Sequence, residues 1–92
     1  MIQSFKDDDA KEIFETGVSK RWASIQAVAR RKLDQIETGI NLSDLRVPPG
    51  NRLEALKRDR LGQHSIRIND QYRICFVWKV DGAYEVGITD YQ

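Results

Sequence analysis

The sequence predicts an α+β domain in which an opening strand and two helices pack on one face of a twisted, mainly antiparallel sheet. Three observations predict it. In the first half of the chain, apolar residues recur at spacings of three and four. Beyond Pro48-Pro49-Gly50 they alternate with period two. Asp81-Gly82 marks a tight hairpin between two of the alternating runs.

Each element has its own signal. Met1 to Phe5 is short and apolar enough for a strand. Asp7-Asp8-Asp9 reads as a helix start, because carboxylates there meet unpaired N–H groups and the positive end of the helix dipole. Ile13 and Phe14 point inward, and Gly17 stops the helix. Ser19 is placed to cap a longer second helix. Its inner stripe is Trp22, Ile25, Ala29, Leu33 and Ile36, its outer face carries Arg30, Arg31 and Asp34, and Gly39 ends it. Asn41 to Leu45 makes one short turn, and Pro48-Pro49-Gly50 redirects the chain. Leu53 to Leu56 reads as a short strand and 59–62 as a loop. His64 to Ile68 is a strand with Ile66 and Ile68 on one face and Arg67 on the other. Asn69-Asp70-Gln71 is a turn. Tyr72 to Trp78 is a strand with Tyr72, Ile74, Phe76 and Trp78 on one face and Arg73, Cys75 and Val77 on the other. Tyr84, Val86 and Ile88 mark the last strand. The face away from the helices is expected to stay polar and to hold any site.

The 92 residues form a single domain, 1–92, with 40% hydrophobic and 32% charged residues. A chain of this size buries only about two-thirds of its surface, so its stability margin is thin. No apolar run approaches the ~20 residues of a membrane span. The opening residues lack a basic segment followed by an apolar core, so no signal peptide is expected. Cys75 is the lone cysteine and has no disulfide partner within the chain. These features predict a cytoplasmic, reduced protein with no membrane association. The net charge of +1 says nothing about partners, but residues 46–73 hold 7 Lys/Arg against 3 Asp/Glu. A basic stretch inside a neutral chain implies either a localised anionic partner or a solvated charged surface.

Arg67 and Arg73 lie on strands joined by the 69–71 turn, which places them close together. Guanidinium groups match phosphate oxygens two at a time, and Lys57 on the preceding loop can join them. The plainer alternative pairs these arginines with Asp59, Asp70 or Glu85. Tyr91 can stack on a base or donate a proton. Asp90 can orient an arginine or accept a proton. His64 is the only histidine and has an unperturbed pKa near neutrality, but such a residue more often packs than catalyses. Glu54 is a general base only if it is desolvated. There is no metal-ligand spacing, phosphate loop or nucleophilic serine motif.

The run Pro48-Pro49-Gly50-Asn51-Arg52-Leu53-Glu54, the run from Gly62-Gln63-His64-Ser65-Ile66-Arg67 through Ile68-Asn69-Asp70-Gln71-Tyr72-Arg73 to Ile74-Cys75-Phe76, and Asp90-Tyr91 resemble the HigB branch of the RelE-like toxins. Met1-Ile2-Gln3-Ser4-Phe5 and Phe14-Glu15-Thr16-Gly17 fit as well. The resemblance covers nearly the whole chain. It implies the small RelE-like fold and the toxin half of a type II toxin–antitoxin pair. It also implies a ribosome-dependent endoribonuclease that cuts mRNA in the A site without a metal or other cofactor. In that chemistry the ribose 2′-OH attacks the adjacent phosphate and the 5′-oxygen leaves. The residues implied for catalysis are Arg67, Arg73, Lys57, Asp90, Tyr91 and Gln92. Arg46, Arg52, Arg58, Arg60 and His64 are implied to hold mRNA and 16S rRNA. The implied partner is a HigA-like helix-turn-helix antitoxin, and operator DNA would be bound only through that complex.

The chain departs from the family pattern at one position. The pattern ends Asp-Tyr-His, and here Gln92 stands in place of histidine. An amide has no proton to trade near neutral pH. Gln92 is consistent with a reaction that uses other groups, with a weakened toxin, or with a deliberate replacement. It also keeps a second reading open, that of a same-fold toxin that binds without cutting, either a ParE-like gyrase inhibitor or a ribosome or antitoxin binder.

Overall fold

Asp7 starts the first helix. The structure, a computed structural model, describes residues 1–90, and in it α1 spans Asp8–Thr16. Asp7 Oδ1 accepts a hydrogen bond from the Ala10 main-chain N–H at 2.9 Å, and Asp8 and Asp9 occupy the first turn. Ala10 and Ile13 are buried. Phe14 packs against Phe5 with ring centroids 5.8 Å apart. Gly17 then takes the left-handed conformation (φ 80°), and its N–H closes on the Ile13 carbonyl at 2.8 Å.

The second helix begins later than a Ser19 cap would place it. α2 spans Gln26–Thr38 and follows a 3₁₀ turn at Ala23–Ile25. Ser19 Oγ accepts from the Trp22 N–H at 3.1 Å, and the Ser19 N–H donates to Gln26 Oε1 at 3.0 Å. Ser19 thus pins the turn ahead of the helix. The indole of Trp22 packs edge-on against Tyr72, centroids 5.1 Å apart. The inner stripe of α2 is Ala29, Leu33 and Ile36, as its spacing predicts, with Lys32 buried among them. The Lys32 ammonium donates to Asn51 Oδ1.

Leu42–Arg46 forms a short 3₁₀ turn closed by a reciprocal cap. Asp44 Oδ2 accepts from the N–H groups of Ile40 and Asn41, both at 2.9 Å, and these bonds hold its carboxyl below the usual range.

Four strands follow: β1 (Glu54–Ala55), β2 (His64–Arg67), β3 (Tyr72–Lys79) and β4 (Gly82–Asp90). They pair antiparallel in the order β1-β2-β3-β4. The opening residues add a parallel edge beside β4 through Ile2–Ala83 and Phe5–Val86 bridges. The α+β architecture is therefore the one the patterning predicts. Helices and sheet enclose a core in which Ile13, Leu33, Ile36, Leu45, Ile66, Ile74, Phe76 and Val86 are fully buried. Gly82 (φ 139°) has no alternative, because a Cβ there would sit 2.0 Å from the Met1 carbonyl oxygen.

One strand departs from simple alternation. The β3–β4 register slips between Cys75 and Val77, and Glu85 takes φ 54°. The bulge turns Tyr84 out of phase with Val86 and Ile88. Its hydroxyl donates to Asp81 Oδ2 at 2.6 Å, and the Lys79 ammonium sits 4.6 Å from its ring centroid. The Glu85 N–H donates to Ser4 Oγ at 2.9 Å.

Lys32 makes stability depend on pH on the alkaline side. Burial lowers its pKa from the ordinary 10.5, and Arg31 and Arg67 lower it further. The unfolded chain therefore holds this proton to higher pH than the folded one does. Below the lowered value the penalty for burying the charge is fully present, and it is relieved as pH rises toward 10.5. The unfolding free energy of the wild type minus that of Lys32→Gln is expected to climb with pH through this window. Urea titrations at stepped pH measure it, and a flat difference contradicts the assignment.

Candidate functional site

Arg67 and Arg73 are directly opposite each other in the β2–β3 register. Like charges so placed repel unless each is otherwise engaged. Arg67 satisfies the plainer expectation, since its guanidinium pairs with Asp70. Asp70 is almost fully exposed, so solvent screens this pair and its worth is small.

Arg73 is held differently. It is only 7% exposed. Its Nε donates to Ser65 Oγ at 2.7 Å, and its Nη2 donates to the Arg52 carbonyl at 2.6 Å and the Ser65 carbonyl at 3.3 Å. Strand geometry explains the first contact. Ser65 pairs with Cys75 and Arg67 with Arg73, so all four side chains leave the sheet on the face away from Ile66, Ile74 and Phe76. The second contact comes from the loop. Arg52 adopts the left-handed conformation (φ 46°, ψ 56°) at the end of a 3₁₀ turn at Pro49–Asn51, and its carbonyl caps the Arg73 fork. Sequence reasoning identified Arg73 but missed these holders. A small hydroxyl residue two positions before Arg67, on the same face, was the signal for Ser65. A main-chain acceptor leaves no such signal.

The expected polar face is therefore covered at its centre. Ser65, Cys75 and Arg73 are all buried. Arg60 reaches over Cys75, with Nη1 3.5 Å from Sγ, and ties the 58–60 turn to this face. Lys57 and Arg58 are exposed on the same loop. Together with Glu54, Ala55, Leu56, Asp59 and Arg60 they line an open recess of about 470 Å³. Arg52 meets Arg73 through its main-chain carbonyl and Arg60 lies over Cys75, while Lys57 and Arg58 line the recess on the same loop as Arg60.

The other expected residues lie elsewhere. Asp90 ends β4 opposite Tyr72 and accepts from Gln71 Nε2 at 3.1 Å, while Thr89 stands across from Arg73. Strand alternation puts His64 on the Ile66 face, where its ring stacks on Phe76 with centroids 6.4 Å apart. His64 and Arg46 share a second recess of about 340 Å³ with Leu42, Ser43, Leu53 and Ala55. Tyr91 and Gln92 lie outside the described residues. Among the described residues no cluster of three His, Cys, Asp or Glu side chains is placed to hold a metal ion, and no helix is long and apolar enough to cross a membrane.

The chain is similar to known proteins over nearly its whole length. Residues 3–91 match the family model described as the RelE-like toxin of type II toxin-antitoxin system HigB. The chain is 42% identical over 85 residues to Toxin HigB-1 of Vibrio cholerae serotype O1, covering 90% of the chain and 88% of that protein. It is 31% identical over 98 aligned positions to Endoribonuclease HigB of Proteus vulgaris, covering all of both. It is also 37% identical over 81 residues to an uncharacterised protein of Haemophilus influenzae, covering 86% of the chain and 78% of that protein.

Proposed function

The chain belongs to the HigB-like family of RelE-like toxins of type II toxin–antitoxin systems, and from that membership we propose that it is an endoribonuclease that cuts mRNA in the ribosomal A site and so stops translation. Membership makes it the toxin half of a pair, with a cognate antitoxin as partner. The cutting activity is carried over from the Proteus vulgaris relative, which is named an endoribonuclease. The observation that carries the assignment to a site is the Arg73 guanidinium, fixed between Ser65 and the Arg52 carbonyl.

In this reading the mRNA supplies its own nucleophile. The ribose 2′-OH loses its proton and attacks the adjacent phosphorus, the bond to the 5′-oxygen breaks, and that oxygen takes up a proton. The products are a 2′,3′-cyclic phosphate and a free 5′-OH. Negative charge grows on the phosphoryl oxygens in between, and a preorganised guanidinium is suited to meet it. Arg73 fills this role, with Arg67 opposite it in the strand register and Lys57 of the 57–60 loop as the third cation. Asp90 and Tyr91 are the residues for proton transfer, and Gln92 stands where the family pattern has an acid–base group. Arg46, Arg52, Arg58, Arg60 and His64 contact the mRNA and 16S rRNA backbones, a salt-sensitive and sequence-independent grip. The antitoxin is of the HigA-like helix-turn-helix kind, and operator DNA is bound through the toxin–antitoxin complex. The protein acts in the cytoplasm, where translating ribosomes are.

Gln92 favours a second reading, a toxin of the same fold that binds without cutting. Primer extension on an mRNA incubated with the protein, with and without ribosomes, separates the two. New 5′ ends inside the A-site codon, present only with ribosomes, support the first reading. Translation arrest without new ends supports the second.

A further inference from the structure

We infer that Asn51 is a positioning residue for Arg73, acting through a buried polar network that ties α2 to the turn supplying the Arg52 carbonyl. The inference rests on the reading of Arg73 as the phosphate-binding group.

Asn51 is 0% exposed, which is rare for a polar side chain and tolerable only when its amide is fully engaged. Its Oδ1 accepts from Lys32 Nζ. Its Nδ2 donates to Gln35 Oε1 at 2.9 Å and to the Leu45 carbonyl at 3.1 Å, with the Val47 carbonyl at 3.4 Å. One amide thus joins two residues of α2 to both ends of the segment that leads into the turn. Lys32 and Gln35 sit three apart, the spacing that brings side chains to one helix face. The main chain continues the link. The N–H groups of Asn51 and Arg52 donate to the carbonyls of Pro48 and Pro49, at 2.9 and 3.1 Å. Arg52 follows directly in the left-handed conformation, which a β-carbon disfavours. That conformation persists only where its surroundings over-determine it, and the Asn51 network does so. Its consequence is the 2.6 Å bond from Arg73 Nη2 to the Arg52 carbonyl. Gln35 and Lys32 both hydrogen-bond the Asn51 amide, so Asn51 is where α2 meets the turn that carries Arg52.

A misplacement of about 1 Å far from the reacting atoms can cost about 10²-fold in rate. Asn51→Ala is therefore expected to lower the kcat for cutting mRNA on programmed ribosomes by about 10- to 100-fold, with KM for ribosomes within about twofold of wild type. The same change in an Arg73→Lys background is expected to cost less than about threefold, because residues acting through one group are not additive. NMR gives a readout independent of activity, in which the Arg73 Nε–H exchanges with solvent faster in Asn51→Ala than in wild type. If Asn51→Ala does not fold, Gln35→Leu removes one anchor at a less buried position, and a kcat loss with unchanged KM is expected there too. Wild-type kcat and unchanged Arg73 Nε–H exchange in a folded variant overturn the inference while the function stands. Full cutting by Arg73→Ala overturns the assignment of Arg73 and this inference together.

Discussion

Arg73→Ala is expected to abolish detectable mRNA cleavage, a loss of at least about 10²–10³-fold, the usual worth of one preorganised charge-stabilising donor. The size follows from how the side chain is held. The guanidinium is 7% exposed and oriented by a hydroxyl and two carbonyls, so on the proposed reading it would meet developing phosphoryl charge without reorganising. Among the described residues, its neighbour Arg67 pairs with the exposed carboxylate of Asp70, a looser hold. Removing Arg73 also strands the Ser65 hydroxyl and the Arg52 carbonyl, at a cost of about 1–3 kcal/mol in stability. Arg73→Lys separates the two effects. It keeps a cation on the strand but loses the planar fork, so cleavage is expected to fall sharply with a smaller stability loss than in Arg73→Ala, because an ammonium still has a donor for one of the stranded acceptors. Single-turnover cleavage on programmed ribosomes, with calorimetry on the same samples, measures both. Full activity in either variant means that the phosphate is bound elsewhere.

Gln92→His is expected to raise the cleavage rate by about 10²–10⁴-fold, the range that positioned proton transfer contributes. The argument is chemical. The reaction must remove a proton from the 2′-oxygen and deliver one to the 5′-oxygen. Imidazole does either near neutral pH, whereas a carboxamide does neither. Growth arrest on induction is the simplest measurement, and the rate on programmed ribosomes is the quantitative one. The variant should also acquire a pH dependence near the histidine pKa that the parent chain lacks. An unchanged rate would mean that Asp90, Tyr91 or the ribosome already moves both protons.

The chain's local rules made most of the fold legible. The α2 stripe, the Asp7 cap, the Gly17 stop and the faces of β3 all follow from spacing, capping and alternation, which act over a few residues. What escaped were effects set by distant partners. Trp22 packing on Tyr72, 50 residues away, accompanies the later start of α2, while Ser19 pins the turn ahead of it. The Glu85 bulge, which reverses Tyr84, lies where the opening segment pairs alongside β4, and alternation within β4 does not reveal it. Lys32 is buried through its bond to Asn51, a partner 19 residues away that helix periodicity does not reveal. The same division runs through the site. Arg67 and Arg73 could be paired from a short turn between two strands, whereas the Arg52 carbonyl that seats Arg73 has no side-chain signature.

One experiment reaches the central claim, that the protein cleaves RNA by steering the strand's own hydroxyl onto a phosphate gripped by Arg73. Ribosomes are programmed with an mRNA carrying a single 2′-deoxynucleotide immediately 5′ of the cut, and cleavage is compared with the all-ribose message. The account predicts that the substituted message is bound but left intact, while the unmodified one yields a 2′,3′-cyclic phosphate end. Equal cleavage of both messages would contradict it.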